Sequence, residues 1–136
     1  LPRQHQQVLT DMYTDFIQRV HRRRANPNYS SQIQSCCDYI DFHVEEKLRI
    51  KTLADRVGYS EYYLSKKFRQ ETGLTVNEYI RNAKIERAKL LLSTTDHDID
   101  VISEMLQFSS RGYFGEVFLR VTGTTPAAYR QEHKRV

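Results

Sequence analysis

The chain has 136 residues, of which 39% are hydrophobic, and it carries a formal net charge of +4 at pH 7. This length allows one modest hydrophobic core or two small ones, and the absence of any run of about 18 apolar residues argues against a membrane-spanning helix. The mildly basic balance permits a polyanionic partner without requiring one. The sequence begins at Leu1 rather than at Met, so we expect a piece of a longer protein.

The two cysteines, Cys36 and Cys37, are adjacent in the sequence, and a disulfide between neighbours is strained. Because the chain has no further cysteine, the sequence predicts reduced thiols and a cytoplasmic location. We expect one thiol in the core and the other at the periphery. Neither the cysteines nor the five histidines show the spacing of metal ligands, so no metal and no cofactor is predicted.

Residues 1–29 are predicted to form an amphipathic helix and a linker that follow a missing upstream domain. Apolar residues recur at helical spacing through residues 8–24, which end in three arginines. Pro27 and two asparagines then break the helix.

Residues 30–75 are predicted to form a first helix-turn-helix subdomain. A helix is expected over residues 31–47, with four residues on its buried face: Ile33, Cys37, Ile40 and Val44. Thr52 is expected to cap a short helix, which a turn at Gly58 separates from a second helix that starts at Ser60. Each of these two helices has one buried stripe, formed by Leu53 and Val57 on the first and by Leu64 and Phe68 on the second.

The other face of the second helix carries hydrogen-bond donors and one aromatic ring at positions i, i+3, i+4 and i+7, namely Tyr62, Ser65, Lys66 and Arg69. A helix with this surface, braced by a partner helix, suits the DNA major groove. Lys66 and Arg69 have the longest reach toward base edges, and the neighbouring Lys67 is expected to face phosphate or solvent. An ordinary amphipathic helix pair with a solvated charged face explains the same residues equally well at this point.

Residues 76–93 are predicted to form a long connecting helix. Thr75 and Glu78 match a capping box at its start. Its apolar face is too broad for one packed seam, so we expect it to contact a small core at each end. Its cations Arg81, Lys84 and Arg87 are expected to be mostly solvated.

An internal repeat relates the first subdomain to a second one, predicted over residues 94–136. Three residues reappear 49 positions later: Leu53, Val57 and Tyr59 match Ile102, Leu106 and Phe108. Six more reappear 50 positions later: Tyr63, Leu64, Phe68, Gly73, Thr75 and Tyr79 match Tyr113, Phe114, Phe118, Gly123, Thr125 and Tyr129. The one-residue insertion falls in the turn, where insertions cost least. The predicted fold is therefore all-α, with two helix-turn-helix subdomains joined by a long linker helix and an extra N-terminal helix.

The duplication favours DNA binding. Two such helices on a rigid connector are placed to enter successive major-groove segments on one face of DNA, about 34 Å apart. A generic helical bundle has no reason to repeat a turn motif in this way.

Three segments of the sequence resemble the AraC/XylS family of bacterial transcription regulators: LADRVGYSEYYLSKKFRQETG, YIRNAKIERAKLLL and FSSRGYFGEVFLRVTGTTPAAYR. The resemblance covers roughly residues 31–130. It implies a seven-helix, two-subdomain unit that binds double-stranded promoter DNA and alters transcription, by family habit through activation. It also implies RNA polymerase as a candidate further partner, and effector or dimer contacts in the missing upstream domain.

Two departures from the family pattern concern the second unit. Its counterpart of the turn glycine Gly58 is Gln107, for which a left-handed backbone would cost on the order of 1 kcal/mol relative to glycine. The outward residues of the first unit are replaced by Gly112, Gly115, Glu116 and Leu119, which removes almost all donors. Each glycine inside a helix also weakens it by up to ~1 kcal/mol.

We therefore predict that the first unit does most of the base recognition. The second unit is expected to hold the DNA backbone through Ser109, Ser110 and Arg111, or to recognise groove shape. Gly112 and Gly115 then allow close backbone approach, and Glu116 accepts a hydrogen bond from a cytosine amino group. The alternative that the second unit simply binds weakly stays open.

Two other classes of protein compete with this interpretation. An enzyme is not predicted, because no nucleophile–base pair, phosphate loop or metal cluster is recognisable, although catalytic residues are often scattered in sequence. The alternative function is a duplicated helix-turn-helix fold that acts mainly as a protein-interaction module, which the donor-poor second unit keeps open. DNA binding would weaken steeply with salt, whereas such a module need not.

Overall fold

The computed structural model describes residues 28–135, which form seven α-helices and no strand. In chain order the helices are α1 (Ser31–Phe42), α2 (Ile50–Val57), α3 (Glu61–Thr72), α4 (Val76–Thr94), α5 (Ile99–Met105), α6 (Arg111–Thr122) and α7 (Pro126–His133). The prediction of an all-α fold with two helix-turn-helix units and a linker helix is confirmed. The amphipathic helix predicted over residues 8–24 lies outside the described residues.

Polar side chains set where several helices begin. Ser60 precedes α3 and Ser110 precedes α6, and each hydroxyl accepts a hydrogen bond from the backbone N–H three residues on, at 3.1 and 3.0 Å. The predicted capping box of α4 is present, with Glu78 N–H donating to Thr75 Oγ1 at 3.1 Å and Thr75 N–H donating to the Glu78 carboxylate at 2.9 Å. These bonds satisfy N–H groups that have no partner within their own helix.

The buried side chains form two cores, and α4 contributes to both. The first core draws on α1, α2, α3 and the start of α4: Ile33, Cys36, Cys37, Ile40, Leu53, Ala54, Leu64, Phe68, Val76 and Ile80. The second draws on the rest of α4, on α5 and α6, and on one residue that follows α1: Val44, Ile85, Ala88, Leu91, Leu92, Ile102, Leu106, Phe114, Val117 and Phe118. The predicted contact of the connecting helix with a core at each end is thus present in the structure.

The internal repeat is a structural repeat. Phe68 is fully buried and meets Tyr79 edge-on, with ring centroids 5.6 Å apart, and Phe118 meets Tyr129 in the same way at 5.6 Å. Such edge-to-face pairs contribute about 0.5–1.5 kcal/mol beyond the area they bury. The same aromatic contact therefore fixes α4 against α3 in the first unit and α7 against α6 in the second unit.

The turns of the two units share a left-handed backbone despite different residues. Gly58 ends α2 with φ of 75°, and Gln107 follows α5 with φ of 60°. Gln107 is the only non-glycine residue with positive φ among the described residues. The strain predicted at Gln107 is therefore present in the structure.

The segment after α1 departs from the sequence prediction. α1 ends at Phe42, five residues earlier than predicted, and Val44 is buried in the second core instead of extending the α1 face. α2 begins at Ile50 behind the N-cap residue Arg49, which makes no side-chain capping bond. The predicted cap, Thr52, is an exposed residue inside α2. Periodicity failed here because Val44 has the spacing of an α1 residue but packs against a different part of the chain.

Both cysteines belong to the first core, so the expectation of one peripheral thiol is wrong. Cys36 and Cys37 are each 2% exposed. Adjacent helical positions differ by only about 100° around the helix, and α1 is covered over a wide arc by its neighbours. Burial raises the pKa of Cys36 to about 11 and that of Cys37 to about 12, so both thiols stay protonated at neutral pH.

The side chain of Lys84 is buried inside the protein, which corrects the prediction that it is solvated. It is 7% exposed, and its ammonium donates to the carbonyl oxygens of Val44 at 2.6 Å, Glu46 at 3.1 Å and Leu106 at 2.8 Å. Burial lowers the pKa of Lys84 to about 8, with the nearby Glu45 opposing this shift. The amine therefore remains largely protonated at neutral pH and keeps all three donors.

This lysine connects the two halves of the structure. Val44 and Glu46 belong to the loop that follows α1, whereas Leu106 ends α5. One turn further along α4, Arg87 forms an ion pair with Glu45 of the same loop at 3.2 Å. The loop is thereby fixed against the middle of α4 and against the second unit.

Replacing Lys84 by methionine is expected to lower the free energy of unfolding by about 1–3 kcal/mol, because buried carbonyl groups lose their donor while the volume is largely kept. Urea denaturation followed by circular dichroism measures the change. The control is Lys89→Met on the same helix, where the lysine is half-buried and pairs with Glu86 at 3.1 Å. The control is expected to change stability by less than about 1 kcal/mol. Equal losses for the two variants would contradict a special role for Lys84.

Candidate nucleic-acid interface

The outward side chains of α3 line a groove, here called the first groove. It runs between α3 and the first residues of α2 and α4, and it encloses about 380 Å³. Eight residues line it: Ile50, Tyr62, Ser65, Lys66, Arg69, Thr75, Val76 and Asn77. All four outward residues predicted from the sequence are therefore brought together on one surface. Tyr62, which is 78% exposed, stands in the first turn of α3.

The two cations of the first groove are available to a ligand. Lys66 and Arg69 are exposed, and neither forms an ion pair with any other residue in the described part of the chain. Lys67, by contrast, is half-buried outside the groove and pairs with Glu71 at 3.8 Å. The same Glu71 carboxylate accepts a hydrogen bond from Ser30 N–H at 2.6 Å, which ties it to the start of α1.

A second groove lies at the corresponding place in the other unit, beside α6. It encloses about 370 Å³ and is lined by Ile99, Arg111, Gly115, Glu116, Leu119, Thr125, Pro126 and Ala127. Seven of these residues are the repeat counterparts of first-groove residues. Because the two grooves have nearly the same volume, they differ in chemistry rather than in size.

The remaining residues predicted for the second unit lie around the start of α6. Ser109 is exposed, and Ser110 uses its hydroxyl to cap α6. Arg111 is exposed and pairs with Asp100 at 3.2 Å. Gly112 is exposed in the first turn of α6, without a side chain to line the groove.

Sequence reasoning missed the walls of both grooves. Thr75 and Asn77 at the start of α4, and Pro126 and Ala127 at the start of α7, line the grooves beside the second helix of each pair. The short turns at Gly73 and Gly123 are the signal that would have identified them. Each turn places the first residues of the following helix beside the helix that precedes it. The offset of 50 then relates the two sets of wall residues.

Comparison with known proteins identifies the class of this fold. A helix-turn-helix domain family matches residues 53–132, more than half of the chain. An uncharacterized HTH-type transcriptional regulator from Staphylococcus aureus is 33% identical over 121 residues, which are 89% of this chain and 16% of the relative.

Two solved structures extend the comparison. The C-terminal domain of AraT, a response regulator from Geobacillus stearothermophilus, gives a TM-score of 0.74 with 26% identity over 79% of this chain and 90% of its own. The DNA-binding domain of AdpA, a global transcriptional factor solved in complex with a target DNA, gives a TM-score of 0.70 with 27% identity over 76% of this chain and 93% of its own.

Two helix-turn-helix units on one connecting helix, each with a groove beside its second helix, define a DNA-binding domain of the transcription-regulator class. The chain belongs to the AraC family of bacterial transcription regulators and forms a DNA-binding domain of that family. The family is non-enzymatic, in agreement with the sequence prediction. The chain spans about a sixth of the length of the Staphylococcus relative. Within residues 28–135 no helix is long and apolar enough to cross a membrane.

Gly115 and Gly123 provide a matched pair of substitutions. A methyl group added at either position meets no atom within 4 Å, but Gly115 is helical whereas Gly123 has φ of 81°. Gly115→Ala is therefore expected to raise the free energy of unfolding by up to about 1 kcal/mol, and Gly123→Ala to lower it by a similar amount.

Thermal and urea denaturation of the two variants measure these opposite changes. A destabilising Gly115→Ala would mean that α6 depends on a close packing contact at Gly115 that the structure does not contain.

Proposed function

We propose that the chain recognises promoter DNA by placing α3 and α6 in successive major-groove segments, with the first unit responsible for most of the base recognition. The contrast between the two grooves carries this proposal. The first groove offers two cations without an ion pair in residues 28–135, two aliphatic hydroxyls, an amide and a phenol. The second offers one arginine, one carboxylate, one hydroxyl and four apolar side chains.

The chemistry of the first groove supports contacts to base edges. Lys66 and Arg69 are three residues apart, so they lie on the same face of α3. Arginine and lysine both donate to the O6 and N7 acceptors of guanine, which is the commonest specific contact in the major groove. Because no ion pair within residues 28–135 has to be broken, these two cations are ready to contact DNA. Tyr62, at the N-terminal end of the same face, is placed to contact a phosphate or a thymine methyl group.

The start of α6 supports contacts to the DNA backbone. Arg111 and Asp100 form an exposed ion pair, and such pairs contribute little to stability. Arg111 therefore exchanges Asp100 for a phosphate at small cost. Ser109 and the N-terminal N–H groups of α6 add neutral donors at the same end.

The known DNA complex of a relative supports DNA as the ligand of this fold. The AdpA DNA-binding domain, which was solved with a target DNA, has the same fold as this chain. In our proposal residues 30–75 and 94–136 act as the two DNA-contacting units, and residues 76–93 connect them. Val44 and the Lys84 contacts join these two units to each other.

Lys66→Gln is expected to weaken binding to a duplex selected from a random pool by about 5- to 150-fold, the range for loss of one good base contact. Fluorescence anisotropy measures the affinity. Lys67→Gln is the matched control, because it makes the same charge change at the adjacent position, whose ammonium pairs with Glu71. We expect the control to lose less than about threefold, because the Lys67 ammonium lies outside the groove and is already paired with Glu71.

The same titrations, run between about 50 and 200 mM salt, separate DNA binding from the protein-interaction alternative. The binding constant of a DNA-binding protein falls steeply with salt, with a slope of about −0.9 per neutralised phosphate on a double-logarithmic plot. A flat salt dependence, or equal losses in Lys66→Gln and Lys67→Gln, would contradict the proposed binding surface.

The unequal contribution of the two units is tested by base preference. Arg69→Gln is expected to relax the preference at one or two positions of the selected site, whereas Glu116→Gln is expected to change the preference less. Selection of bound sequences from a random pool, repeated for each variant, measures this. A larger loss of preference in Glu116→Gln would show that the second unit dominates and that the proposed asymmetry is wrong.

A further inference from the structure

The second groove has an apolar floor that the proposed function leaves unused. Leu119 on α6 is 48% exposed, and the groove continues along Ile99, Pro126 and Ala127. A single exposed leucine is common on protein surfaces. Here four apolar residues from three helices line one concave surface, and Leu119 and Ala127 are its exposed members.

The position of this surface in the repeat indicates what it faces. Leu119 is the counterpart of Arg69, and Ala127 is the counterpart of Asn77. Both grooves occupy the same place beside the second helix of a helix-turn-helix, and both have nearly the same volume, about 380 and 370 Å³. Two polar residues of the first groove are thus replaced by apolar ones, while its apolar residues Ile50 and Val76 keep the apolar counterparts Ile99 and Pro126.

We infer that the second groove recognises the 5-methyl group of thymine, with Leu119 as the residue that packs on it. This inference rests on the proposed placement of α6 in the major groove. The thymine methyl group is the apolar group that base pairs display there, and contact with it is a known route to base discrimination. Leu119 donates no hydrogen bond, so an apolar contact is the one way in which it can distinguish bases.

The absence of a side chain at Gly115 makes this contact possible. A Cβ built at Gly115 has no neighbouring atom within 4 Å, so the surface beside it is open. Gly115 lies one turn before Leu119 on α6 and lines the same groove. A base edge can therefore approach the α6 backbone at Gly115 while its methyl group contacts Leu119.

The charged residues at the rim fit a DNA partner. Arg111 and Glu116 both line the groove, where Arg111 is placed for a phosphate and Glu116 for a cytosine amino group. The groove is lined by eight residues, whereas a stable protein interface uses roughly 20–30 residues a side. The dimensions match a base edge better than a protein partner.

Replacement of thymine by uracil tests the inference directly, because it removes the methyl group and leaves the hydrogen-bonding groups in place. Every thymine of a duplex selected on the wild-type chain is replaced by deoxyuridine, one at a time, and affinity is measured by anisotropy. We expect at least one replacement to weaken binding about fourfold, the effect of exposing one buried methyl group. We also expect this thymine to lie about one helical turn from the bases whose recognition depends on Lys66.

The same scan with Leu119→Ser identifies the residue responsible. The uracil penalty at this thymine is expected to disappear in Leu119→Ser and to remain in the matched control Val121→Ser. Val121 is on the same helix, is 41% exposed and does not line the groove. Because both residues are exposed, both variants are expected to fold, which circular dichroism verifies.

The possible outcomes separate this inference from the proposed function. Specific DNA binding without any uracil penalty that depends on Leu119 would overturn the methyl contact and leave the proposed function intact. Unchanged affinity of Leu119→Ser for every duplex would assign the groove to another partner, and the inference would be wrong. Failure to select any DNA sequence would overturn the proposed function as well.

Discussion

The relative placement of the two units depends on one buried ammonium group. Lys84 lies in the middle of α4. Its ammonium donates to two carbonyl groups in the loop after α1 and to one at the end of α5. A charged amine is costly to bury unless its donors are satisfied, and here three carbonyl oxygens satisfy them. Each carbonyl belongs to a residue beyond the last turn of a helix, so it has no helical N–H partner and accepts from the amine instead. The result is a polar joint between two small apolar cores, which Val44 and the Arg87–Glu45 ion pair also connect.

Comparison of the two copies distinguishes the residues that the fold requires from the residues that form the grooves. Buried positions keep their character in both copies, as in the pairs Leu64 with Phe114 and Tyr79 with Tyr129, and even the left-handed turn is kept where Gln107 replaces a glycine. Two groove positions lose a cation, since Lys66 corresponds to Glu116 and Arg69 to Leu119. The residues that change, Lys66 and Arg69, are exposed and belong to neither core, so their replacement leaves the scaffold intact. One architecture thus presents two different chemical surfaces along a single connecting helix.

Sequence reasoning succeeded where the determining interactions are local. Helical spacing and the Thr75 and Glu78 capping box depend on residues a few positions apart, and the structure confirms them. The repeat was recognisable because each copy keeps these local patterns. Sequence reasoning failed for Val44, Cys36 and Lys84, because their environments are made by segments distant in the sequence. Lys84 would be solvated if the loop after α1 did not cover it, and no pattern in the sequence near Lys84 predicts that contact. The outward residues of α3 were predictable from periodicity, but the groove walls at Thr75 and Asn77 were not, since they come from the next helix.

The continuity of α4 has a consequence for the promoters that such a protein is able to use. α4 is a single helix of 19 residues, and the Lys84 joint prevents either unit from turning about it. In the proposed binding mode one added base pair between the two contacted segments would displace the second by about 3.4 Å and rotate it by roughly 35° around the duplex. α4 has no break at which the second unit could turn to follow that shift. Binding sites should therefore diverge during evolution by base substitution, while insertions and deletions between their two halves are eliminated.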